Sequence, residues 1–522
     1  MRHRLTAWVC GVCGLYGPLG SPVAAAPDAG AAIDAWMRAR AAVDAGDASM
    51  LTDHPADLHG VRLVLRHDGR PLAAAAAAKA TGELTPLQTA TQKLLEKARA
   101  DGALAELPTA IVTEGLARTT LELDAAGPLT PMTATNLADA ASDLNPATDG
   151  VALRVGDQWH LRYPSGLRMS GAAATLEMLV ELAAVAGFTP ESLDSARRTG
   201  AATLYRFQTI TLVQCRDELS PRVYERGRES SLWHTSREAT LAQLSRVGQH
   251  LLSQCWDDPN GELLHVGGDY VPPHDRCQPV HATARDHAFV ALALRRLSAI
   301  PGLPEQLNVS SRLAADALEA QLGTDDPVIV AVRSQLDPTC NIDAVRILLS
   351  DDTAPRVERA IAAWALAGNT ADHEAVKALI DETAVGPRQQ LFGMLPWIGW
   401  ADLAQAKSLG QPPRLERLWQ GLRSVTLNEV NPRTATADML PVAAFLASRQ
   451  KSSADRSLQL LDLLVVGPHE SRFFRSPTRA VGGVRLAPWN ERMPVWAQTL
   501  GVLLLCEALE QLDDPLLKEP NS

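Results

Sequence analysis

The spacing of apolar residues changes once along this chain, near residue 225, and that change limits what it can fold into. Before it, short alternating runs lie between helix-like stretches. Val61-Arg62-Leu63-Val64-Leu65-Arg66 reads as a strand that ends in the turn His67-Asp68-Gly69. Thr119–Leu123 is a second strand, stopped by Gly127-Pro128. Asp149-Gly150 opens a strand pair, Val151–Val155 and Trp159–Tyr163, joined at Gly156-Asp157, and Leu204–Val213 is β-rich. Helices are expected within 26–59, over Ala73–Ala80, over Gly171–Ala186, and over Pro86–Asp101, where Thr85 suits the cap and Gly102 the stop. The interleaving predicts an α+β domain over residues 26–220.

Beyond residue 225 helical spacing takes over, as in Leu241, Leu244, Val247 and Leu251. Helices are predicted over Glu238–Cys255, His281–Ser298, Ser310–Leu322, Ile342–Leu349, Arg356–Ala367, Glu374–Glu382, Leu415–Arg423, Ala437–Ala447, Arg456–Val465 and Val495–Leu512. No clear strand is expected there. The reading is an all-α domain of helical hairpins over 225–515, followed by a disordered tail at 516–522. At 522 residues the chain is too long for one ordinary core, which agrees with two domains.

The first 25 residues look like a cleavable export signal. Met1-Arg2-His3-Arg4 is basic, Leu5–Leu19 is apolar, and Val23 and Ala25 are the small residues that precede a cut. The apolar stretch is too short and too rich in Gly and Pro for a permanent span. The expected product is periplasmic or extracellular. Losing Arg2 and Arg4 takes the net charge from −11 to −13, which weighs against nucleic acid or an anionic membrane as partner. Five of the seven cysteines remain: Cys215, Cys255, Cys277, Cys340 and Cys506. They are too few and too scattered for a disulfide-dense scaffold, and the sequence does not say which of them pair.

Four segments of the first domain resemble AMMECR-domain proteins. They are Gly60–Leu72, Leu121-Glu122-Leu123 with Pro128-Leu129, Asp149–Arg154, and Leu179–Gly187 with Leu204-Tyr205-Arg206-Phe207, and they occur in the family's order. The family's R-G-C-I-G hallmark is replaced by Arg70-Pro71-Leu72-Ala73-Ala74-Ala75. The resemblance therefore implies the family's fold in a divergent, non-catalytic copy; the family has no agreed reaction to transfer. In the second domain, Gln249–Leu297 and Phe473–Leu512 share a helix, glycine turn, extended bit and helix. That plan resembles the repeats of α/α toroids such as terpene cyclases and prenyltransferase β-subunits, with an open helical-hairpin solenoid as the alternative.

The densest polar cluster runs through His274-Asp275-Arg276-Cys277, His281 and Arg285-Asp286-His287. Asp275, His281, Arg285 and His287 are the candidate catalytic residues, set against a reading as loop and cap residues. Asp275-x-Cys277 matches the Asp-x-Cys pair of prenyltransferase β-subunits, so Asp275, Cys277 and His281 are the candidate zinc ligands, although no cofactor is the leading expectation. Tyr270, Arg485, Trp489, Asn490 and Glu491 combine aromatic and planar polar groups, as ligand-binding mouths do, against a reading of Asn490 or Glu491 as helix caps. Asp257-Asp258 is a carboxylate pair within an ordinary turn sequence. The tryptophans read as core. No P-loop, dinucleotide fingerprint, H-E-x-x-H or G-x-S-x-G is present. The expected function is an exported binding or assembly protein that uses its helical domain. The alternative is an envelope enzyme acting on a carbohydrate or lipid-linked substrate in a toroid cavity. The partner is a protein, a carbohydrate or a lipid-linked ligand.

Overall fold

The computed structural model describes residues 27–513 apart from 52–57, 68–69, 79–83, 101–114, 117–118, 145–148, 166–174, 215–219, 226–227, 230–235, 259, 262, 324, 387, 417, 420–429, 431–434, 450, 469 and 489. The signal cleavage site, Cys215, Trp489 and the C-terminal tail lie outside the described residues.

The first region is an antiparallel sheet with helices on its outer face. Its strands are β1 (Gly60–His67), β2 (Arg70–Ala78), β3 (Thr120–Ala126), β4 (Thr130–Pro131), β5 (Asp149–Val155), β6 (Gln158–Arg162), β7 (Ala202–Gln214), β8 (Pro221–Glu225) and β9 (Arg228–Glu229). The path is β2-β1-β3-β7-β5-β6, and β2 approaches β6, so the sheet nearly closes. The long strand β7 makes this curl. Its first half pairs with β5 and its second half with β3.

The helices α1 (Ala29–Ala45) and α2 (Pro86–Ala100) cover one half of the outer face, over Val61, Leu63, Leu65, Leu121 and Leu123. Asp28 caps α1 through Ala31 N at 2.8 Å, and Trp36 Nε1 donates to Leu121 O at 3.0 Å, which docks the helix on β3. Thr85 caps α2 through Gln88 N, as its position suggested. The other half is covered by α3 (Leu137–Ser142), α4 (Thr175–Val185) and α5 (Pro190–Arg198), through Met178, Leu179 and Leu182 against Val151, Leu153 and Leu204.

The alanine tract is a correction. Ala73–Ala80 has high helix propensity, yet the chain is a strand through Ala78, paired with β1 residue by residue from Gly60↔Ala78 to Leu65↔Ala73. Propensity is a weak prior. Here β1 supplies a ladder, and the small side chains let Ala73, Ala75 and Ala77 sit buried under α2.

The second region is largely helical, but not all-α. After α6 (Arg237–Ser253) comes a three-stranded sheet, β10 (Cys255–Asp257), β11 (Leu264–Val271) and β12 (Arg276–His281), in that order. Gly267 and Gly268 lie inside β11. A side chain at Gly267 would stand 2.6 Å from Cys277 Sγ, and one at Gly268 would stand 2.3 Å from Pro279 O. Close strand approach, rather than a bend, requires these glycines. The helix predicted from His281 begins instead at α7 (Ala284–Ser298). Thr283 and Asp286 form a capping box, and His281 stays in β12.

The remaining helices are α8 (Glu305–Ala320), α9 (Pro327–Arg333), α10 (Asp343–Ser350), α11 (Arg356–Leu366), α12 (His373–Val385), α13 (Arg388–Met394), α14 (Trp397–Leu409), α15 (Leu440–Ala447), α16 (Lys451–Leu464), α17 (Pro477–Ala480) and α18 (Val495–Asp513). Packing runs from α7 to α9, α11, α14, α15 and α18, and α18 returns to α7. α8 packs on α7, α10 on α9 and α11, α12 on α11 and α14, and α16 on α15 and α18. The first helix, α6, also lies against the last, α18. Ahead of α18, Gly482, at φ +84°, also lies close on α6, where a Cβ would fall 2.1 Å from Arg246 O. No described helix is long and apolar enough to cross a membrane.

Candidate functional site

The two segments of similar design meet. β11 turns into β12 through Asp275, whose φ of 49° is a left-handed conformation that Asp tolerates better than most residues. Asp275 Oδ1 accepts from Tyr270 OH at 2.8 Å and from an Arg479 guanidinium nitrogen at 3.0 Å. The same guanidinium lies 4.9 Å above the Tyr270 ring. His250 Nδ1 is 2.7 Å from Arg479 O, and its ring is 5.9 Å from that of Tyr270. Tyr270 and Met493 exchange backbone hydrogen bonds at 3.0 and 2.9 Å. Asp269 pairs with Arg492 at 2.5 Å and accepts from Val495 N, so a residue on β11 caps the distant helix α18. The sequence offered Asn490 or Glu491 for that cap.

Burial sets the protonation of this clasp. It lowers the His250 pKa to about 4, so the imidazole is neutral at neutral pH. It pushes the Tyr270 phenol up, with help from Asp275, and raises the Cys277 thiol against the opposing pull of Arg479. Cys255 and Cys506 are pushed up to about 12 by burial. These are protonated thiols, not nucleophilic thiolates. Cys255, Cys277, Cys340 and Cys506 are unbridged.

The remaining candidates are occupied separately. Cys277 Sγ lies 3.1 Å from Gln254 Oε1. His281 packs against His265 and Trp256, with ring centroids 4.7 and 5.8 Å away. His287 Nε2 accepts from Val266 N at 3.4 Å, and burial lowers its pKa against the pull of Asp286. Arg285 pairs with Asp326 at 2.6 Å and Glu358 at 2.7 Å, tying together the first turns of α7, α9 and α11. Arg485 is fully buried and donates to the carbonyls of Leu463, Leu464 and Pro488 at 3.2–3.3 Å. Asn490 Oδ1 accepts from Arg492 N, and Glu491 is buried. Asp258 Oδ1 accepts from Leu263 N in a turn. Among the described residues, no group of three or more His, Cys, Asp or Glu side chains is arranged to hold a metal.

A further polar cluster lies inside the nearly closed sheet. Arg62 donates to Asp124 Oδ2 at 2.9 Å and to Ser165 Oγ at 2.6 Å, while Ser165 donates to Asp124. Thr211 Oγ1 donates to the other oxygen of Asp124 at 2.6 Å. Beside them Arg66 donates twice to Glu122 Oε2, at 3.0 and 3.2 Å. All six side chains are buried. The Tyr163 hydroxyl beside them has no hydrogen-bond partner among the described residues, and burial, with the Asp124 charge, raises its pKa. Arg62 and Arg66 alternate with Val61, Leu63 and Leu65, so sequence showed that they share a face; the missing information was that the face curls inward.

No protein-family model matches the chain, and no curated protein matches it. Among solved structures, the N-terminal part is similar to the crystal structure of an uncharacterized protein, PH0010, from Pyrococcus horikoshii. The identity is 15% and the TM-score 0.28, over 38% of this chain and 98% of that one.

Proposed function

We propose that this is an exported binding or assembly protein. In this reading its helical region is a closed α/α ring of the toroid kind and its N-terminal region is an AMMECR-like domain without catalysis. The packing succession α7-α9-α11-α14-α15-α18, returning to α7, carries the ring reading. Inner helices of a ring would pack in this order, with α8, α10, α12 and α16 as outer partners, and an open solenoid would leave α7 and α18 apart. Binding is favoured over catalysis because Asp275, Cys277, Arg285 and His287 each hold part of the fold and do not converge on one point. Export rests on the basic and apolar start of the chain.

Two measurements test this. N-terminal sequencing of the protein recovered outside the cytoplasm should begin at Ala26; recovery with Met1 intact would refute cleavage. The mature chain should be retained by an isolated cell-envelope fraction without consuming it, and the Asp275→Asn, His281→Gln, His287→Gln triple variant should be retained equally. Turnover of envelope material that this triple variant abolishes would establish the enzyme reading instead.

A further inference from the structure

Four aromatic side chains meet across the helical region. Phe289 of α7 and Trp397 of α14 have centroids 5.1 Å apart, although these two helices are three steps apart in the packing succession. Trp364 of α11 lies 5.0 Å from Trp397 and 6.3 Å from Trp400, and Trp397 meets Trp400 edge-on at 5.4 Å. Two features separate this cluster from ordinary core. Phe289 and Trp364 are only half-buried, whereas Trp397 and Trp400 are buried. The Trp400 indole N–H is buried and has no acceptor among the described residues, which is unfavourable in a finished core. One helical turn before Phe289, on the same face of α7, stands Arg285 between Asp326 and Glu358.

We infer that this aromatic floor and its charged rim form a saccharide-binding site. The inference rests on the ring reading above. The partly exposed rings of Trp364 and Phe289 stack on the apolar face of a sugar ring. Arg285, Asp326 and Glu358 exchange hydrogen bonds with its hydroxyls. A hydrocarbon chain would fit worse, because it would strip water from Arg285, one turn from Phe289, and from its paired carboxylates. Two carboxylates against one guanidinium leave the rim net negative, so the ligand is a neutral sugar, not an acidic one.

The test uses the purified mature chain on an array of neutral and acidic oligosaccharides, followed by tryptophan-fluorescence titration with those retained. Neutral oligosaccharides should bind, and Trp364→Leu, shown folded by thermal melting, should weaken them about tenfold. Trp159→Ala, in the other region, should leave binding unchanged. A blank array, retention of acidic sugars alone, or full affinity in Trp364→Leu would overturn the assignment. Failure of the ring itself would appear separately, as absence of a covalent link between α6 and α18 in a Val247→Cys, Gly501→Cys variant.

Discussion

The two regions fill their centres with opposite chemistry. The nearly closed sheet encloses two guanidinium groups, two carboxylates and two hydroxyls, whereas the main core cluster of the helical region is made of aliphatic side chains and aromatic rings. Buried ion pairs seldom add net stability over well-packed apolar residues, but they punish the loss of one partner. Apolar packing depends instead on shape, and it makes close backbone approach the sensitive point. The regions should therefore fail for different reasons.

The largest expected effect is in the sheet. Asp124→Ala strands Arg62, Ser165 and Thr211, and should cost about 3–5 kcal/mol in urea denaturation. The paired change Arg62→Met, Asp124→Leu should restore most of that loss; equal damage from both would show that the network does not act through charge.

Acid should weaken the helical region. His250 has a folded pKa lowered from 6.5 to about 4 by burial. The stability gained by keeping it neutral is full above about pH 6.5 and is lost as the pH falls towards 4, by roughly 3 kcal/mol. His250→Asn should flatten this part of the stability–pH curve, and an unchanged curve would remove His250 from the account.

At the seam between α6 and the chain before α18, Gly482→Ala combines a left-handed backbone with a contact against Arg246 O, and should cost about 2–3 kcal/mol. The smallest effect belongs to Arg479→Ala. Its pair with Asp275 is part-exposed and its ring contact modest, so a melting experiment should register about 1 kcal/mol.

Local signals were legible where the chain's own neighbours decide the outcome. The hairpin at Gly156-Asp157 and the cap at Thr85 follow from residues a few positions apart. The misses are long-range. Ala73–Ala78 became a strand because β1 offered a ladder, and β11, where no strand was expected, formed where Cys277 and Pro279 cross Gly267 and Gly268. Asp269 caps α18 from more than two hundred residues away, and no local pattern announces it. The candidate residues followed the same rule. Tyr270 and Asp275 were visible as chemistry, but their partners Arg479 and His250 look ordinary in sequence. Arg62 and Asp124 gave no warning because alternation normally means a wet face, and only the curl of β7 turns that face inward.

The proposed closure of the helical region is tested most directly by a covalent link between its first and last helices, α6 and α18. A Cβ at Gly501 lies 3.8 Å from Val247 Cγ1. In the full-length Val247→Cys, Gly501→Cys variant, mild oxidation followed by peptide mass spectrometry should find the 247–501 disulfide in nearly every molecule, with melting no lower than in the reduced form. Free thiols at both positions, in protein whose native fold is intact, would contradict closure.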